Sequence, residues 1–217
     1  KFAASADAVD AQAGGSIWQD GSHTDRLVYF RRLRSADAAA ARRLLEAGLH
    51  ELGARERGDF VAALAIGATS ADEALLDGLM KDRSREVRRS AADLLATLPG
   101  SPHAKRLQAW LAPLVTAKRG LLGKSWDCEA PQGVDPAWAA SAIESKRPQH
   151  EALGERAWWL FQFVRQAPLR WWTDHTGMNP AQLLAWAGKT DWTDALHRGW
   201  LERVSAAEPD WIEAMLA

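Results

Sequence analysis

Four cations crowd one short stretch, Lys81, Arg83, Arg85 and Arg89, set around Asp82 and Arg88 in a run that ends near Leu98. Such a group can hold the carboxylates or phosphates of a partner through charge-assisted hydrogen bonds. Arg31, Arg32, Arg42 and Arg43 form an earlier group, and stacked helices could align the two into a ridge. The plainer reading, which the sequence slightly favours, is solvated helix faces on which Glu46, Asp72 and Glu86 neutralise the arginines. Aromatic chemistry is the second resource. The chain has 12 Trp, ten of them at or beyond Trp126. Flat rings stack on bases, sugars or peptide groups, but Trp also fills joints between irregularly packed helices. Trp110, Trp159, Trp186, Trp192 and Trp200 are expected in the core. Neighbours on a helix cannot both face inward, so one member of Trp158-Trp159 and one of Trp171-Trp172 is expected at the surface. Trp171 and Trp172 are therefore candidate anchors for a partner.

Enzyme chemistry finds little support. The histidines at 23, 50, 103, 150, 175 and 197 are scattered, and none forms an HExxH pair or lies at metal-ligand spacing from Cys128. Gly123-Lys124-Ser125 resembles the end of a phosphate-binding loop, but Lys118 stands where that loop needs a glycine, and the preceding segment reads as helix. Asp174-His175 reads as a solvated turn before Gly177. No nucleophile elbow is present. We expect no catalytic residue, no metal site and no cofactor.

The positioning framework is a soluble chain of ordinary composition. Its 217 residues are 47% hydrophobic and 25% charged, with a formal net charge of -1. That balance hides an asymmetry. Residues 26–126 carry 18 Lys and Arg against 11 Asp and Glu, whereas residues 127–217 carry 8 against 13. From Leu94 to Trp126 there is no acidic residue. The single cysteine, Cys128, excludes an intrachain disulfide and a Cys-rich zinc site, and a reducing cytoplasm is the expected compartment. No apolar run approaches the roughly 20 residues that span a bilayer. The first residue is Lys1, and residues 1–21 read as a flexible linker in a chain cut from something longer.

The elements are read from apolar spacing and caps. Leu27, Phe30 and Leu33 form one stripe, with Arg31, Arg32 and Arg34 on the other side. Ser35 or Asp37 caps the next helix, and Ser35-Ala36-Asp37 returns 35 residues later as Ser70-Ala71-Asp72. A period of that size, two helices per unit, marks a helical repeat array. Val87, Arg88, Ala91, Leu94, Leu95 and Leu98 recur at helical spacing as in the second helix of a HEAT-like repeat. There an aspartate near the turn commonly holds an arginine of the following helix, so Asp82 and Arg88 are expected to be structural, with a ligand role as the alternative. Ser101 caps a helix with Pro102 at its first position. Residues 118–135 read as a long connection with a short extended arm, and Asp135-Pro136 restarts a helix. Later helices begin near Gly154, Asn179-Pro180, Asp191 and Glu208-Pro209.

Trp18-Gln19-Asp20-Gly21, Asp82-Arg83-Ser84 with Glu86-Val87-Arg88, and Leu98-Pro99-Gly100-Ser101 resemble a bacterial family of helical-repeat proteins known only as a domain of unknown function. Gly154-Glu155-Arg156, Trp158-Trp159-Leu160 and Arg198-Gly199-Trp200 extend the resemblance, which covers most of residues 17–205 and points to that family's carboxy-terminal half. It implies a HEAT-like fold and a cytoplasmic bacterial protein. Its members are often encoded beside AAA-type ATPases and von Willebrand A domain proteins. It implies no catalytic residue.

The expectation is an all-α, HEAT-like α-solenoid over residues 22–116, closed by a Trp-rich helical cap over residues 117–217. Its expected function is a protein–protein interaction scaffold without catalysis, with an AAA-type ATPase or a von Willebrand A domain protein as candidate partner and no membrane association. A HEAT-like DNA-binding protein or alkyl-base DNA glycosylase is the alternative. The basic segment and the tryptophans permit it, and the acidic tail argues against it.

Overall fold

Helix starts coincide with residues able to satisfy free N–H groups at a helix N-terminus. The computed structural model describes residues 15–120, 123–205 and 208–217. Among these the chain is mostly helical, so the protein is of the all-α class. Packing divides it into two compact units, with the division between Leu94 and Leu95.

In the first unit, helix α1 (His23–Ala36) follows Ser22, whose hydroxyl accepts from the Asp25 N–H. Asp37 caps α2 (Ala38–Gly48) by accepting from the Ala40 N–H at 2.8 Å. Helix α3 (Ala54–Ala63) follows Gly53, whose N–H is held by Glu56. Thr69 caps a short 3-10 turn, Ser70–Asp72, that leads into α4 (Glu73–Leu79). Helix α5 (Arg85–Thr97) ends the unit. Phe30, Leu45, Phe60, Leu64 and Leu76 are fully buried.

The expected linker over residues 1–21 falls largely outside the described residues. Residues 15–20 are helical. Trp18 packs its ring 6.1 Å from that of Phe30 and 5.1 Å from that of Phe60, which ties the segment to the core.

The second unit begins inside α5. Helix α6 (Pro102–Leu111) has Ser101 as cap and Pro102 at its first position, where the missing N–H has no intrahelical partner to lose. Helix α6 packs within the second unit, Trp110 lying 5.8 Å from Phe163. The connection after it forms an antiparallel hairpin of β1 (Val115–Gly120) and β2 (Gly123–Cys128), anchored where the buried pair Val115 and Cys128 face each other. Asp135 caps a 3-10 helix, Pro136–Ser141.

Five helices complete the unit: α7 (Glu155–Gln166), α8 (Leu169–Thr176), α9 (Pro180–Ala187), α10 (Thr193–Arg203) and α11 (Pro209–Leu216). Helix α7 is the centre. Every residue from Trp158 to Gln166 is buried, which no amphipathic surface helix shows. Trp158 and Trp159 are therefore both inside, a correction to the expected exposure of one of them. Trp158 packs on Phe161, while Trp159 packs on Trp138 and donates its indole N–H to the Ser145 carbonyl. Helix α10 lies so close to α7 that a Cβ on Gly199 would fall 2.6 Å from Val164 Cγ1.

Candidate functional site

The cationic turn of the first unit is built around Asp82, three residues before the start of α5. Its carboxylate takes Arg57 of α3 in a two-point grip, Nε to Oδ2 at 2.8 Å and Nη2 to Oδ1 at 3.0 Å. It also accepts from the Ser84 N–H at 2.7 Å. Arg88, expected to be the partner of this carboxylate, donates to the backbone carbonyls of Asp82 and Arg83 instead. The reason is geometric: the carboxylate is already filled by Arg57 and Ser84, and Arg88 reaches back one turn to the carbonyls before its helix. Burial pushes the Asp82 carboxyl up, but the hydrogen bonds from Arg57 and Ser84, with the charges of Arg57 and Arg83, outweigh it and hold the group below the usual carboxylate range.

That pairing decides the electrostatics of the turn. Lys81, Arg83 and Arg85 are exposed and Arg89 is half-buried. Arg85 and Arg89 make contacts of their own. Of the two carboxylates between Lys81 and Arg89, Asp82 is engaged by an arginine from another helix, which leaves Glu86 on the exposed first turn.

A second arginine–aspartate clip lies deeper in the same unit, and the sequence did not reveal it. Arg34, expected on the solvent side of α1 with Arg31 and Arg32, is buried with its partner Asp72; both side chains are 0% exposed. The Arg34 Nη2 donates to Asp72 Oδ2 at 2.7 Å, and Arg42 Nη1 donates to Oδ1 at 3.0 Å. The Ala38 carbonyl accepts from Arg34 Nη1 and those of Leu64 and Gly67 from Nη2, while Nε is buried without a partner. Burial pushes Asp72 up, and the hydrogen bonds from Arg34, the Thr69 N–H and Arg42 bring it below the usual range. Asp72 thus neutralises two arginines, while Asp37, its counterpart in the repeated Ser-Ala-Asp triplet, is an exposed helix cap.

In the second unit, Trp172 is fully buried against Trp200, with perpendicular rings 5.1 Å apart. It is not an exposed anchor, because its position on α8 points into the core. Trp171 is half-buried. Its ring stacks on His175 at 4.6 Å and 13° and lines a cavity of about 590 Å³ with Pro168, Arg170 and Asp174. His175 belongs to the last turn of α8, not to a solvated loop, since the turn begins only at Gly177 with φ 74°. Its Nε2 donates to the Val115 carbonyl at 2.8 Å.

The phosphate-loop resemblance ends here: Gly123-Lys124-Ser125 opens a β-strand, whereas that motif needs a loop entering a helix. The Lys124 side chain lies outside the described residues. Burial, with Asp127 and Glu129 beside it, pushes the Cys128 thiol up to about 12, so it is an inert thiol at neutral pH. No helix among the described residues is long and apolar enough to cross a membrane.

The fold and the two surfaces define an all-α protein with a cationic turn and an aromatic cavity. The chain belongs to a family of unknown function (DUF5691), whose sequence model matches residues 1–217. No curated protein and no solved structure matches it significantly.

Proposed function

We propose that the protein is a non-catalytic interaction scaffold of HEAT-like helix pairs that holds an acidic region of a partner protein against Lys81, Arg83, Arg85 and Arg89, with Trp171 as an aromatic anchor in the second unit. One observation carries the reading: Asp82, one of the two carboxylates in the turn, is gripped by Arg57 of another helix, while Lys81 and Arg83 on either side of it are exposed. Arg57 is itself 6% exposed, so this clip is part of the structure and not a competing surface pair. The resemblance to bacterial helical-repeat proteins encoded beside AAA-type ATPases and von Willebrand A domain proteins makes one of those the partner to try first, in a bacterial cytoplasm.

The test is binding of a purified candidate partner to the wild-type chain and to Lys81→Glu/Arg83→Glu. Both side chains are exposed, so reversal of their charge leaves the fold intact. The proposal expects at least about tenfold weaker binding by the variant at low salt. Unchanged affinity overturns the role of this face. The same pair of proteins titrated with duplex DNA tests the alternative, since contact with several phosphates gives affinity that falls steeply with salt.

A further inference from the structure

The chain holds its own arginines by one recurring device, an aromatic ring on one side and a carboxylate on the other. Arg26 lies over Trp18 at 4.9 Å and pairs with Glu56 at 3.3 Å. Arg156 lies over Trp192 at 5.0 Å and pairs with Glu129. Arg198 lies over Phe161 at 4.3 Å and pairs with Glu151 at 2.7 Å. The ring quadrupole attracts the cation, and the carboxylate supplies the hydrogen-bond acceptor.

The same two components meet again in the second unit around a cavity of about 670 Å³. Trp126 of β2 and Trp186 of α9 line it, together with Met178. The Trp186 indole N–H donates to the Trp126 carbonyl at 3.0 Å, which fixes one ring against the strand that carries the other. Asp127, Glu129 and Asp191 line the same space, against Lys189 as the lining cation. Asp127 also takes Lys118 and Glu129 also takes Arg156. Asp191 has no ion-pair partner among the described residues, is exposed and lines the same cavity.

We propose that this cavity is a binding site for an organic cation of the alkylammonium type. Trp126, Trp186 and Met178 supply the polarizable part of a lining that is otherwise largely polar. Asp191 supplies the counter-charge, and Asp127 and Glu129 add negative potential. A volume of this size admits a small ligand and is within the range of ligand cavities. Lys189 competes for the same charge from the rim. The reading is independent of the cationic turn in the first unit, because it uses other residues and the opposite sign of charge.

The experiment follows the indole N–H signals of Trp126 and Trp186 in the 15N-labelled chain, assigned through Trp126→Phe and Trp186→Phe. Tetramethylammonium is the cationic probe, and tert-butanol is its neutral counterpart of similar shape. The expected result is movement of these two signals with tetramethylammonium at concentrations about tenfold lower than any effect of tert-butanol. Asp191→Asn weakens that binding about threefold or more, and Lys189→Ala strengthens it. Both are exposed positions, so neither change threatens the fold. Equal effects of the two probes, or no movement of either signal, overturn the proposal. A second arm compares n-butylammonium with N-acetyl-lysine methylamide. Tighter binding of the free amine assigns a small-molecule ligand, and tighter binding of the capped lysine assigns a peptide-borne one.

Discussion

The two units are held by different means, and the difference shows where each can afford a functional surface. The first is clipped together by arginine–aspartate pairs that reach between distant helices: Arg34 and Arg42 on Asp72, and Arg57 on Asp82. The second is built on α7, which is buried on every side by aromatic and aliphatic neighbours. The clips set three arginines against two aspartates, so their charges are satisfied within the unit, while Lys81, Arg83 and Arg85 lie exposed at its surface. An aromatic core leaves rings at its margins, such as Trp171, Trp126 and Trp186, half in and half out. The two proposals put an anion-binding face on the first unit and a cation-binding cavity in the second.

The largest effect expected from breaking this contrast is in the first unit. Asp72→Ala strands Arg34 in a fully buried site, and loss of one partner from a buried pair costs about 3–5 kcal/mol. Denaturant unfolding followed by circular dichroism measures it. Gly199→Ala is the corresponding test of the second unit: the new Cβ meets Val164 and the Arg165 N–H region, and such overpacking costs about 1–3 kcal/mol. Trp fluorescence reads it, since eleven of the 12 tryptophans lie beyond Leu95.

Acid weakens both units. Asp72 and Asp82 are held below the usual carboxylate range in the fold, so their contribution is fully present above about pH 4 and is lost as pH falls through their folded values. Glu151 of the second unit, pushed up by burial but held low by its hydrogen bond to Arg198, contributes in the same sense, so the denaturant midpoint falls as pH drops below about 4. The smallest effect belongs to Asp174→Ala. Its pair with Arg170 is 65% and 87% exposed, and stability changes by no more than about 0.5 kcal/mol.

Much of the local structure was legible. Ser22, Asp37, Ser101-Pro102, Asp135-Pro136 and Asn179-Pro180 each start a helical segment as their chemistry demands. Helical spacing likewise marked Val87, Ala91, Leu95 and Leu98 as interior. What escaped the sequence depended on partners far along the chain. Arg34 looks like Arg31 and Arg32 until Asp72, 38 residues on, draws it inward. The assumption that one of two adjacent tryptophans must face water holds for a helix with one solvent face, and α7 has none. The hairpin was hidden because its apolar alternation is short, Val115 and Ala117 against Cys128 and Trp126, and gives way to Lys118, Arg119, Lys124 and Ser125. At the cationic turn, the residues were visible at once, but the inward capture of Asp82 was not, because Arg57 belongs to another helix.

A single titration series tests the central claim, that the first unit reads anions and the second reads cations. Wild type, Lys81→Glu/Arg83→Glu and Asp191→Asn are each titrated at low salt with an oligoglutamate peptide and with tetramethylammonium. The account predicts separable losses: the double variant loses the acidic peptide and keeps the cation, and Asp191→Asn does the reverse. A common loss of both probes in either variant, or no loss in the matching one, contradicts it.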